Sequence, residues 1–175
     1  MHHLPHADLD SLYQLWRHKA PHTPLPARGD FTPEGDLRPW LGDIAIAEVE
    51  HAPLRFKARL VGTRIVAGDG RDVTGRYLDV AFPDRYETQI HPPFAAAVAA
   101  AQGVYSEIRF GSYLRYIAAQ IVLPLADDGS TIDQLLVAFS LTSSMEGGQQ
   151  VRLAEELTAG RAERKPFLYL PRDAG

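Results

Sequence analysis

The chain has 175 residues, 45% of them hydrophobic and 23% charged, the balance of an ordinary globular protein with one core and short appendages. Its 18 Lys and Arg stand against 22 Asp and Glu, a formal charge of -4 with no basic stripe to neutralise phosphates, which argues against nucleic acid as a partner. It has no cysteine, so disulfides, thiolate nucleophiles, zinc–thiolate sites and cysteine-linked chromophores are excluded, in keeping with a reducing cytoplasm.

The start, Met1-His2-His3-Leu4-Pro5-His6-Ala7-Asp8, lacks the cationic segment and apolar run of a secretion signal. Residues 8–19 then place Leu9, Leu12, Tyr13, Leu15 and Trp16 at helical spacing and predict an amphipathic N-terminal helix. That stripe is wide enough to outlast one sheet face, so a homodimer built on the helix is expected. Prolines at 21, 24, 26 and 33 keep the next stretch extended.

A short helical piece over 36–41 leads into a strand over 44–50 with Ile44, Ile46 and Val49 packed. The strand over 56–61 sets Phe56, Ala58 and Leu60 on one face and Lys57 and Arg59 on the other, with 51–54 closing an antiparallel hairpin. From 62 to 93, glycines and prolines permit only short helices and turns. Pro92 and Pro93 suit the first turn of a helix over 94–101, with His91 at its start and Gly103 as its stop. The apolar stretch 92–101 is ten residues long, about half the length of a membrane-crossing helix, so no membrane span is expected.

Strands over 104–110, 114–125 and 132–141 follow, the last two joined by a hairpin at Asp128-Gly129. A short helix over 149–158 and an apolar end, 165–171, complete the chain, and the end is expected to dock on the core. This order predicts an α+β protein with a five-stranded antiparallel sheet, short helices on one face and the N-terminal amphipathic helix. It divides into a helix at 1–20, a core at 21–141 and a tail at 142–175.

Several ordered motifs carry a resemblance. They are Leu12-Tyr13-Gln14-Leu15-Trp16, Leu25-Pro26-Ala27-Arg28-Gly29-Asp30-Phe31-Thr32-Pro33, Arg59-Leu60-Val61-Gly62-Thr63, Gly70-Arg71-Asp72-Val73-Thr74-Gly75-Arg76, Val104-Tyr105-Ser106-Glu107 and Leu123-Pro124-Leu125. Together they resemble the small stand-alone PAS-like domain family of proteobacteria over about residues 8–141, with the tail outside the match. The resemblance implies a PAS-like fold and fixes neither ligand nor activity.

Candidate ligand-binding residues are few. Arg71 and Asp72, in a glycine-bracketed loop, can meet a polar ligand, or Asp72 can pair with Arg59. His91 lies in what the resemblance makes the helical wall of a pocket, where haem-binding PAS domains supply an axial ligand; a cap or surface role fits it better. Tyr105 and Tyr116 can line the pocket from the strands or simply pack on the sheet. His2, His3 and His6 sit on an end expected to be mobile. No haem, flavin or metal is expected, and neither a nucleophile elbow nor a phosphate-binding loop is present in the sequence.

These features predict a non-catalytic sensory or protein-interaction module in bacterial signalling. It would bind a signalling protein, a second copy and possible small-molecule ligands. The alternative is a small cone-shaped α+β enzyme that uses His91 with Asp72 or Glu107 as an acid–base pair.

Overall fold

The computed structural model describes residues 3–110, 116–140 and 159–172, with backbone alone at Phe110, Tyr116 and Ile117. The N-terminal stripe forms α1 (Ala7–His18), with Asp8 and Asp10 in its first turn and Arg17 and His18 in its last, the charge order that a helix dipole favours. Leu9, Leu12, Tyr13 and Trp16 are buried by the chain's own core. Trp16 Nε1 donates to the carbonyl of Pro124 at 3.0 Å, and the Tyr13 hydroxyl donates to that of Pro171 at 2.7 Å. Most of the apolar surface that suggested pairing of two copies is therefore covered from within, and Leu15 is the member of the stripe that stays partly exposed.

The five expected strands occur in order: β1 (Ile44–His51), β2 (Leu54–Val61), β3 (Gly103–Phe110), β4 (Tyr116–Leu125) and β5 (Gln134–Phe139). The sheet is nevertheless larger than the five strands expected. The tail adds β6 (Glu163–Arg164) and β7 (Leu168–Leu170), both antiparallel to β3, in a sheet ordered β2-β1-β5-β4-β3-β6 with β7 also on β3. Strands of two and three residues show no readable alternation, and what defines them is the open edge of β3. The helix expected over 149–158 lies outside the described residues, as do residues 114, 115 and 141 at the expected strand ends.

Both faces of the sheet are packed. Along β1, Ile44 and Ile46 point one way while Ala45, Ala47 and Val49 point the other. Ile46 pairs with Leu60 but Ala47 pairs with Ala58, so Arg59 is an extra residue in β2. This bulge turns Leu60 outward to 39% exposure, which corrects the expectation that it shares the packed face of Phe56 and Ala58. The short helices gather on one face, as expected, and the N-terminal helix lies on the other. α1 covers the face of Tyr105, whose ring meets that of His6 at 6.3 Å. α2 (Thr63–Asp69), α3 (Leu78–Ala81), a π-helical turn (Tyr86–Ile90) and α4 (His91–Ala100) cover the other. No helix among the described residues is long and apolar enough to cross a membrane.

Pro92 and Pro93 occupy the first turn of α4 as expected, but the helix stops at Ala101, in the left-handed region at φ 51°, and not at Gly103. Gly103 has a different task. A Cβ there would lie 2.9 Å from Leu123 Cδ2 and 3.1 Å from Leu170 Cβ, so glycine admits the tail strand. The tail is fixed further by fully buried Leu170 and by Arg172, whose guanidinium donates to the carbonyls of Lys19, Ala20, Thr23 and Pro24.

Two loop carboxylates are held at about 2, below the ordinary 3.8. The Lys19 ammonium and then Thr32 bind Asp36, and the backbone N–H of Ser130 together with Thr131 binds Asp128. A depressed folded-state value means that their contribution is complete above about pH 4 and is lost as pH falls towards 2. Unfolding followed by circular dichroism from pH 5 to 2 is expected to show stability falling in that window, with a shallower fall in Asp128→Asn. Trp16→Ala is expected to cost about 3–5 kcal/mol in urea titrations, since it removes a fully buried aromatic. An unchanged midpoint would mean that α1 is not seated as described.

Candidate functional site

A cavity of about 280 Å³ lies between the short helices and the face of the sheet opposite α1. Its floor is made of small residues, Ala45, Ala47, Ala58 and Ser106, so the strands cannot fill the space beneath the helices. Ile65, Val73, Leu78, Phe82, Ile90 and Phe94 form an apolar wall and roof.

Four charged side chains line the cavity, in two pairs. Asp43 is buried, and Arg64 donates to both of its carboxylate oxygens through Nε and Nη2. Arg85 Nη2 donates to Asp69 Oδ1 at 2.7 Å, both side chains being largely buried. The uncharged polar lining includes Ser106, which pairs across the ladder with Gln120, and Gln89 from the π-helical turn. Gln89 is 9% exposed, and its Nε2 is buried without a hydrogen-bond acceptor.

None of Arg59, Arg71, Asp72, His91 and Tyr105 is among the lining residues. Arg59, the bulge residue, points to solvent and pairs with Glu48 at 2.7 Å rather than with Asp72. Asp72 accepts from the backbone N–H and hydroxyl of Thr74, at 2.9 and 2.6 Å, and these bonds lower its pKa. Arg71 donates to the Ala81 carbonyl and stands 5.2 Å over the ring of Phe82, behind the wall. His91 packs against the rings of Phe56 and Tyr86, at 6.2 and 5.6 Å. The side chain of Tyr116 lies outside the described residues.

Tyr105 belongs to a second group, on the α1 side of the sheet. Its hydroxyl donates to Glu107 Oε1 at 2.6 Å, His6 Nε2 lies 3.8 Å from that oxygen, and His6 Nδ1 shares a 2.9 Å hydrogen bond with Ser140 Oγ. Burial first, then the bond to Glu107, pushes the Tyr105 phenol far above its ordinary value, so it stays a donor at any working pH. His6 is thus packed and not on a mobile end, as the sequence suggested: the polar group on the sheet offers it partners that the sequence does not reveal. Among the described residues, no group of three or more His, Asp or Glu side chains is placed to hold a metal ion.

Asp43, Arg64, Asp69, Arg85 and Gln89 escaped the sequence reading because they come from loops and short helices without periodicity. Ser106 and Gln120 did leave a trace: each is a polar residue on an alternating face whose neighbours Val104, Ile108, Ala118 and Val122 are apolar.

A single antiparallel sheet with short helices and a cavity on one face defines an α+β single-sheet domain. The sequence model of the PAS domain family matches residues 4–136, and the chain belongs to that family. Among solved structures it is similar to a sensory box sensor histidine kinase from Vibrio cholerae, at 15% identity and TM-score 0.41, over 59% of this chain and 83% of that one. It is also similar to an RNA-binding light-oxygen-voltage receptor, at 18% identity and TM-score 0.43, over 79% of this chain and 43% of that one. No curated protein matches it.

Tyr105→Phe removes the one donor seen on Glu107 Oε1 from within the sheet. It is expected to lower stability by about 1.5–3 kcal/mol, the usual cost of losing a bond to a charged acceptor, in thermal or urea unfolding.

Proposed function

We propose that the protein is a non-catalytic sensory module that takes a small molecule into the cavity and reports its presence by contact with another protein. The observation that carries this is the cavity itself, about 280 Å³ with an unmet amide donor in its wall. Protein interiors are close-packed, and buried donors are nearly always paired, so an interior built only for stability would close this space and satisfy Gln89. Membership of the PAS domain family supports a sensory or interaction role.

The enclosing segments suit such a task. α2 has seven residues and α3 four, too short to be held by helix propensity, so packing against the cavity contents and the sheet sets their positions. α3 lines the cavity with Leu78 and exposes Val80 to 59%, which makes it a short route from ligand to partner surface.

An enzyme using an acid–base pair finds less support. His91, Asp72 and Glu107 face separate surroundings: two aromatic rings, a threonine turn, and the Tyr105–His6 group. The His6, Tyr105, Glu107 and Ser140 side chains bond one another and tie the residues before α1 to the sheet.

Native mass spectrometry of protein taken directly from cells is expected to show a small non-covalent mass that denaturation removes. Ala58→Leu, which fills the cavity floor, should abolish that mass while the melting temperature holds or rises. A parent protein without such a mass would overturn the ligand and leave an interaction module. The same mass retained by Ala58→Leu would place the ligand elsewhere.

A further inference from the structure

We infer that the ligand of this cavity is an uncharged, mostly apolar molecule, about the bulk of two fused rings, that presents one hydrogen-bond acceptor such as a carbonyl oxygen to Gln89 Nε2. This rests on the cavity being the ligand site.

Charge decides the first point. The only charged side chains among the described lining residues are Asp43, Arg64, Asp69 and Arg85, and each carboxylate is already bonded to one guanidinium. The described lining is therefore neutral. A ligand carboxylate or ammonium would give up part of its hydration and would have to compete with one of these pairs for a counter-ion, leaving the displaced partner beside mostly apolar walls.

Size and polarity follow from the walls. An apolar protein cavity of about 150 Å³ accommodates benzene. At about 280 Å³ this one has nearly twice that room, and its walls of Ile65, Val73, Leu78, Phe82 and Phe94 offer apolar contact.

The acceptor follows from Gln89. Of the buried side-chain nitrogens and oxygens without partners, Nε2 of Gln89 is the one that belongs to a described lining residue. The π-helical turn that carries it also buries Tyr86 and leaves Glu87 exposed, so Gln89 is the polar residue this turn commits to the interior. A buried donor left unpaired is costly, whereas a ligand oxygen that accepts from it recovers the bond.

Four probes on the full chain test this: 2-acetylnaphthalene, naphthalene, 2-naphthol and 2-naphthoate, each titrated by calorimetry and against any retained ligand. The ketone is expected to bind about tenfold more tightly than naphthalene, with naphthoate weakest, and Gln89→Leu should collapse the ketone-to-naphthalene ratio towards one. Should Gln89→Leu fail to fold, Gln89→Met replaces it. In the parent, the Gln89 side-chain N–H resonances should move further downfield with the ketone than with naphthalene, the direction of a new hydrogen bond. Equal binding of ketone and naphthalene, or naphthol or naphthoate binding best, overturns the ligand class while leaving the cavity as a binding site. No binding or displacement by any of the four overturns both the class and the cavity as ligand site.

Discussion

Small side chains on one sheet face set the terms for the rest of this molecule. Where Ala45, Ala47, Ala58 and Ser106 stand, larger residues would rise to meet the helices and close the core. With alanine and serine there, α2, α3 and the π-helical turn rest on their rims, held by Phe56, Phe94, Leu78 and Phe82. The cavity, the ion pairs at its margin and the unmet amide of Gln89 are all consequences of that one choice of volume.

The opposite face obeys the opposite rule. There Ile121, Leu123, Leu125 and Leu136 are fully buried, and α1 lies over the sheet with Leu9, Leu12 and Trp16 in contact with the same core. Polar contacts fix the edges of this layer, from Trp16 on the Pro124 carbonyl to the His6, Tyr105, Glu107 and Ser140 group. Tyr13 then reaches Pro171, so the first helix and the last strand brace each other across β3. A tightly packed face and a cavity-bearing face on one sheet separate stability from binding, and a ligand can act on the short helices without loosening the side that keeps the chain folded.

The ion pairs divide along the same line. Asp43 with Arg64 and Asp69 with Arg85 are partly or largely withdrawn from water and shape the cavity margin, whereas Arg59 with Glu48 is exposed and contributes little beyond surface order. Arg59 and Arg71 stand out in the sequence because they flank glycines and a strand, yet charge in a loop gives no sign of direction. The bulge in β2 sent Arg59 outward, and the Ala81 carbonyl took Arg71.

Sequence alone determined the elements whose signal is local. The stripe of α1, the alternation in β1, β2 and β3, Pro92 and Pro93 at the head of α4, and the Asp128-Gly129 turn could be read because periodicity and turn chemistry act over a few residues. Their order pointed to the α+β sheet, and the ordered motifs carried the PAS-like resemblance. Tertiary structure alone decided which faces meet and what fills the space between them. It placed α1 across the sheet from the short helices, recruited two or three residues of the tail at a time as edge strands on β3, with β7 against Gly103, and turned Leu60 out at the bulge. It also gathered Asp43, Arg64, Asp69, Arg85 and Gln89 around one cavity. Those five side chains come from three segments, the loop before β1, α2 and the π-helical turn with the residue before it, and their proximity arises from packing between these segments, which leaves no periodic mark on any of them.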